Sequence, residues 1–277
     1  MSMDAAWNQW IQTHPYLESI ARFHHLLVQA TGTRVTFEAM PAWQDYAEDY
    51  RNGTPLLRSK SLNLDYAAAS GEALAILVDK VLAAEVPERL AENCRQLHNI
   101  LTSPEERMSA IEWVVSGVPF TRAPPDPGVL LLLGWSAVAS VLTPVIEAFS
   151  CWRNEEDWGR GYCPTCGAAP VMAQIVPGEA GSQRFLFCGF CGTRWKYRRI
   201  GCPYCGNEIS PRLGILEAEG EEGLLRIDVC EECRGYVKTY TGHGEETLFL
   251  ADWTTLHLDI LARERGFKRQ GDSLYEI

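Results

Sequence analysis

Apolar residues recur at helical spacing through roughly the first 150 positions and in short strand-like runs after them. Between Pro15 and Ala30, Leu17, Ile20, Phe23 or His24, and Leu27 fall on one helical face, with Gly32 just past the end. Tyr66 to Glu85 is rich in Ala and Leu and places Leu74, Leu77, Val78 and Val81 in one stripe. Ser103-Pro104-Glu105-Glu106 predicts a helix start, with Ser103 as cap, Pro104 in the first turn and Glu106 as the acid of a capping box. Met108, Ile111, Trp113 and Val115 continue that helix, and the proline-rich run from Ala123 to Gly128 breaks the chain before the next one. Pro127 to Ile146 carries no charge and approaches the length of a membrane span. Gly134, Ser136, Ser140, Thr143 and Pro144 dilute it, and no basic flank fixes an orientation, so it is read as a core helix with no membrane insertion.

Past about Ser150 the pattern changes to hairpins. Ala169–Val176 with Gln183–Phe187, and Arg212–Ala218 with Leu224–Val229, are paired apolar runs joined by Gly-rich, charged turns at 177–181 and 219–223. Each hairpin lies between two Cys-x-x-Cys pairs: Cys163/Cys166 and Cys188/Cys191, then Cys202/Cys205 and Cys230/Cys233. The first knuckle repeats at an offset of 39 residues and the second at 42, which marks an internal duplication. Lys196 and Lys238 both stand five residues after their last cysteine.

Composition narrows the chemistry. The chain has 277 residues, is 46% hydrophobic and carries a net charge of -11, so it can bury a core and its overall field repels phosphate backbones and anionic lipid. Met1 to Trp7 shows no basic segment followed by an apolar stretch, so the expectation is a cytoplasmic protein whose thiols stay reduced. Under those conditions eight cysteines in four pairs read as ligands, leaving Cys94 and Cys151 as bystanders. The expectation is two metal ions per chain, iron or zinc, each bound by four cysteines: Cys163, Cys166, Cys188 and Cys191 in one site, Cys202, Cys205, Cys230 and Cys233 in the other. Pairing Cys188/Cys191 with Cys202/Cys205 is the alternative that the repeat argues against. A closed four-sulfur site leaves no vacant position for a substrate, so hydrolytic catalysis is not implied. The six histidines receive no metal role.

Arg194-Trp195-Lys196-Tyr197-Arg198-Arg199, between the repeats, interleaves basic and aromatic residues as single-strand nucleic-acid binders do. The competing reading packs Trp195 beneath a ribbon and pairs the arginines with nearby acids, and the acidic background favours it over nucleic-acid binding.

The stretch Trp158 to Pro170, Cys188-Gly189-Phe190-Cys191-Gly192-Thr193-Arg194-Trp195 running into Cys202-Pro203-Tyr204-Cys205-Gly206, and the closing Ala251 to Ala262 resemble the formate dehydrogenase accessory protein family, FdhE. The resemblance covers about residues 150 to 270 well and the helical half weakly. It implies a cytoplasmic, non-enzymatic maturation factor that binds the catalytic subunit of a formate dehydrogenase during assembly. It tilts the metal toward rubredoxin-like iron with zinc close behind, and makes Arg194, Trp195, Arg198, Arg199, Tyr236 and Lys238 candidate client contacts. The fold expected is α+β: an all-helical domain at 1–150, four-cysteine zinc-ribbon or rubredoxin-like subdomains at 151–200 and 201–277, and a C-terminal helix within the last. A nucleic-acid-binding zinc ribbon, and behind it an electron carrier or thiol reductase, are the competing functions.

Overall fold

A computed structural model describes residues 3–31, 40–62, 64–124, 126–179 and 181–275. Gly32, Pro125 and Ala180, which the sequence reading uses as helix stop, breaker and turn, lie outside those residues. The chain forms two units: residues 11–47 with 57–153, and residues 1–10, 48–56 and 154–277. The second unit therefore takes two short segments from before residue 150 in addition to the cysteine-rich half.

The first unit is helical. Its elements include α2 (Glu18–Ala30), α4 (Ala67–Leu82), α5 (Glu88–Ile100), α6 (Pro104–Ser116) and α7 (Gly128–Trp152), while α1 (Met3–Thr13) and α3 (Trp43–Asn52) run through both units. Helix α4 packs against α2, α5, α6 and α7, and its stripe of Leu74, Leu77, Val78 and Val81 is buried as its spacing predicts. Helix α6 begins with the predicted capping box: Ser103 Oγ accepts from the Glu106 amide at 3.3 Å, and Glu106 Oε2 accepts from the Ser103 amide at 3.2 Å. Among the described residues α7 is the one helix long and apolar enough to cross a membrane. It buries Leu130, Leu133, Val138, Val141, Val145 and Phe149, and at Gly134 a Cβ would press on Val114 of α6, so the absence of a side chain lets the two helices approach.

The second unit, which also holds the short helix α8 (Glu155–Trp158), is built on one sheet. Its strands are β1 (Met172–Val176), β2 (Gln183–Phe187), β3 (Arg194–Tyr197), β4 (Leu213–Leu216), β5 (Leu225–Cys230), β6 (Gly235–Thr241) and β7 (Lys268–Arg269). Each repeat forms an antiparallel three-stranded meander, β1-β2-β3 and β4-β5-β6, and the order across the sheet is β3-β2-β1-β6-β5-β4. The meanders join where β1 runs parallel to β6, from Met172 opposite Lys238 to Ile175 opposite Thr241. Strand β7 pairs with the start of β6, at Gly235 and Tyr236, which β1 does not reach. The two four-cysteine segments thus share a continuous sheet.

One face of that sheet carries an apolar cluster, with Met172, Leu225, Ile227, Val229, Tyr236 and Tyr240 meeting Leu258 and Ala262 of α10 (Leu256–Glu264) and Phe249 of α9 (Glu246–Phe249). Trp7 and Trp10 of α1 close the edge: Trp10 sits edge-on to Phe249 and donates from Nε1 to the Thr254 carbonyl at 3.1 Å. Within this apolar layer lies a charge-balanced quartet. Lys238 Nζ contacts Asp252 Oδ1 at 2.6 Å and Asp259 Oδ2 at 2.8 Å, while Arg269 contacts Asp252 at 2.8 Å and Asp259 at 2.6 Å. Tyr236 adds a hydroxyl donated to Asp259 at 2.7 Å. Burial alone would push the Asp252 carboxyl up, but Lys238 and Arg269 outweigh it and hold it down at about 2.

Removing one cation should leave two buried carboxylates facing a single positive charge, at a cost of about 3–5 kcal/mol. Lys238→Met is expected to lower the urea midpoint accordingly. Because the folded pKa of Asp252 is depressed from an ordinary 3.8, its contribution is complete above about pH 4 and fades as the pH falls toward 2. Acid titration of the wild type followed by tryptophan fluorescence checks this, and the Lys238→Met variant should unfold at higher pH.

Candidate metal centres

Backbone turns bring each cysteine pair together. In the first knuckle the Cys163 amide donates to the Ala168 carbonyl at 2.9 Å, the Gly167 amide donates to the Cys163 carbonyl at 2.9 Å, and the Thr165 amide points at Cys163 Sγ at 3.4 Å. Cys188 and Gly192, and Cys202 and Gly206, repeat the glycine-to-cysteine closure. Gly167, Gly192 and Gly206 occupy the left-handed region that such a turn requires, with φ of 85°, 73° and 74°. The fourth knuckle uses Arg234 there, at φ 58°. Its side chain compensates by pairing with Glu231, donating to the Gly266 carbonyl at 3.2 Å and stacking 4.2 Å over Phe267.

Strands β1 and β2 then set the first knuckle against the second, and β4 and β5 set the third against the fourth. Cys163 and Cys191 sulfurs lie 3.5 Å apart, and those of Cys166 and Cys188 lie 3.4 Å apart. In the second group the corresponding distances are 3.6 Å for Cys202 and Cys233 and 3.7 Å for Cys205 and Cys230. All four ligand atoms of each group lie within 4.8 Å of one another. A tetrahedron with metal–sulfur bonds of about 2.3 Å has edges of about 3.8 Å, so both groups have the size of a tetrathiolate site. They fit zinc or a single iron, since both accept four thiolates in this geometry.

The electrostatics of the four thiols fit a site that takes a cation. Burial opposes ionisation of Cys163, yet hydrogen bonds from Cys166, Cys188 and Cys191 outweigh it and hold that thiol well below its ordinary range. Cys166 is pushed up by hydrogen bonding to the neighbouring thiols, above all Cys163, and Cys188 chiefly by burial. One sulfur can ionise at the expense of its neighbours, and four thiolates together need a cation between them.

The two groups differ in exposure. All four sulfurs of the first group belong to buried residues, and Thr193 and Thr165 form a second layer, their hydroxyls 2.8 Å apart and Thr193 Oγ1 3.2 Å from Cys191 Sγ. In the second group Cys202 and Cys230 are buried, Cys233 is half-buried and Cys205 is exposed. Burial there opposes ionisation of Cys230, but the Cys233 and Glu232 amides and the Asn207 side chain bring its thiol down to about 7. Gly161 ties the groups together: a Cβ at that position would fall inside the Pro203 carbonyl of the third knuckle. The two remaining cysteines, buried Cys94 and exposed Cys151, lie in the helical unit.

The basic-aromatic stretch is strand β3. Its alternation turns Trp195 and Tyr197 inward, and Trp195 is fully buried with Nε1 donating to the Arg160 carbonyl at 3.0 Å. Arg194 lies 3.7 Å over the Phe185 ring, Lys196 pairs with Glu156, and Arg198 pairs with Glu208. Tyr236 and Lys238 are buried beside Asp259. Trp195, Tyr236 and Lys238 are therefore withdrawn from the candidate contact surface, because each spends its polar group inside the fold. Arg198 and Arg199 are exposed. The matched lysines of the repeat have diverged, Lys196 at the sheet's edge and Lys238 at its centre. The period-two pattern of Arg194–Tyr197 was the signal for this strand.

Residues 162–199 match the family model described as FdhE, central domain. The FdhE resemblance is borne out. The match contains the whole first four-cysteine group and ends before Cys202. A protein named Protein FdhE homolog from Stutzerimonas stutzeri (strain A1501) is 34% identical over 127 residues, covering 44% of this chain and 40% of that protein. Another from Aquifex aeolicus (strain VF5) is 32% identical over 133 residues, covering 46% of this chain and 47% of its own length. The chain thus aligns with less than half the length of these curated relatives. The crystal structure of the FdhE protein from Pseudomonas aeruginosa is similar over 96% of this chain and 91% of that one, with a TM-score of 0.65 and 22% identity. That likeness shows the α+β fold: helices first, then the four-cysteine ribbons.

The exposure difference predicts an order of metal loss. A colorimetric chelator should remove one equivalent quickly, from the group containing Cys205, and the second only slowly or on unfolding. Cys205→Ser should leave a single slow equivalent. Simultaneous release of both would contradict the assignment.

Proposed function

We propose that this chain is a non-catalytic, cytoplasmic accessory protein that binds the catalytic subunit of a formate dehydrogenase during its assembly and carries two metal ions, iron or zinc. The observation that carries the reading is the FdhE central domain at residues 162–199, together with relatives named for the same family. The geometry supports a binding role, since each group presents four sulfurs to one position and leaves no further site for a substrate. The metals stabilise short hairpins that have little core of their own, with Cys163, Cys166, Cys188 and Cys191 holding one and Cys202, Cys205, Cys230 and Cys233 the other.

Single-strand nucleic-acid binding loses support, because stacking needs exposed aromatic faces and Trp195 and Tyr197 are buried. Of the original contact candidates, Arg198 and Arg199 keep exposed guanidinium groups.

Affinity-tagged chain should co-purify the formate dehydrogenase catalytic subunit from cells accumulating that subunit without its cofactor, and should recover little of the mature enzyme. Arg198→Glu with Arg199→Glu should weaken capture about tenfold at unchanged metal content. Failure of the wild-type chain to recover the subunit in either form would defeat the reading.

A further inference from the structure

Beside the second four-cysteine group, on the sheet face opposite the α10 layer, is a cleft of roughly 170 Å³. It is smaller than the pockets of drug-sized ligands, which begin at about 300 Å³, and has room for one side chain of a larger partner. Its charged groups are unequal. Arg184, Arg199 and Arg226 line it against one carboxylate, Asp228. Arg226 Nε lies 2.9 Å from Asp228 Oδ1, and Arg184 lies 3.5 Å from Asp228 Oδ2. Arg184 is almost wholly buried, donates to the Gly201 carbonyl at 2.8 Å and has an Nε with no hydrogen-bond partner. Cys202 and Cys230 of the second four-cysteine group also line the cleft, and four thiolates about a divalent ion carry negative charge that the buried guanidinium groups face, so the cation presented at the mouth is that of exposed Arg199.

The rim is apolar. Ile200 and Ile215 line the cleft at 59% and 55% exposure, and Ile209, just ahead of the lining residue Ser210, is 59% exposed. Two exposed isoleucines in the lining give the cleft an apolar rim.

The strand beside the cleft adds an independent observation. Strand β4 ends the sheet, and among the described residues no strand pairs with its outer edge. The Glu231 amide donates to the Arg212 carbonyl at 2.8 Å, so Arg212, Gly214 and Leu216 are the residues hydrogen-bonded toward β5. The amide and carbonyl of Ile215 consequently face the open edge. Leu213-Gly214-Ile215-Leu216 carries no charge or proline of the kind that usually blocks unwanted pairing.

We propose that β4 and this cleft form a docking site for an extended peptide segment of a partner protein, with apolar residues against the isoleucines and a carboxylate drawn to Arg199. Main-chain bonds to β4 supply affinity, and the cleft selects the acidic side chain. This deepens the accessory-protein reading by giving the partner-binding surface a place and a preferred sequence chemistry.

The test uses the full, metal-loaded chain and a fluorescein-labelled peptide of repeating Val-Val-Glu-Glu, which shows both residue types on each face of a strand, with a repeating Val-Val-Lys-Lys peptide as control. Fluorescence anisotropy should show saturable binding of the acidic peptide and none of the basic one. Arg199→Glu and Ile215→Lys, both at exposed side chains, should each weaken it at least tenfold with unchanged thermal midpoint and metal content. No binding of the acidic peptide, equal binding of both peptides, or insensitivity to both substitutions overturns the site. Binding of a labelled oligothymidine in place of the peptide, abolished by the same substitutions, also overturns it. Capture of the dehydrogenase subunit without peptide binding removes this site and leaves the accessory reading. Peptide binding without subunit capture does the reverse.

Discussion

Four sulfur atoms held 3.4–3.7 Å from their nearest neighbours are the constraint on which the cysteine-rich half depends. Strands of four to seven residues bury little on their own, and two-stranded hairpins of that size are marginal in water. One ion held by each group would tie both ends of its hairpin and supply what the apolar cluster does not. It also explains the backbone conformation at the knuckles, where three glycines and Arg234 adopt left-handed turns that direct amides toward sulfur.

The sheet then converts two small ribbons into one body. Parallel pairing of β1 with β6 is the seam, and the same β6 carries Lys238 into the quartet with Asp252, Asp259 and Arg269. A buried ion pair contributes little net stability but penalises any arrangement that separates its members. The quartet therefore fixes the register of β6, β7 and α10 relative to one another. Its charge balance is what makes such burial tolerable. The free edge lies at the other side of the second meander, where β4 is left without a neighbour.

Much of this was legible in the residues. The four knuckles, both hairpins, the capping box at Ser103 and the buried stripe of α4 follow from spacing alone, because each depends on contacts close in sequence. The parallel seam did not, since nothing local distinguishes a strand that pairs across 66 residues from one at an edge. Lys196 and Lys238 occupy equivalent places in the repeat, yet only the tertiary fold makes one a surface pair and the other a buried cation. Arg194–Tyr197 misled for a related reason: basic and aromatic residues in alternation describe a nucleic-acid surface and a half-buried strand equally well. The partners that decide between them, Glu156, Phe185 and the Arg160 carbonyl, come from other segments.

The central claim is that each group of four cysteines holds one metal ion. The most direct measurement is metal analysis combined with X-ray absorption at the metal edge on protein purified without oxygen. The account predicts two ions per chain, each with four sulfur neighbours at about 2.3 Å. One ion per chain, a first shell containing nitrogen or oxygen, or recovery of the cysteines as disulfides would contradict it.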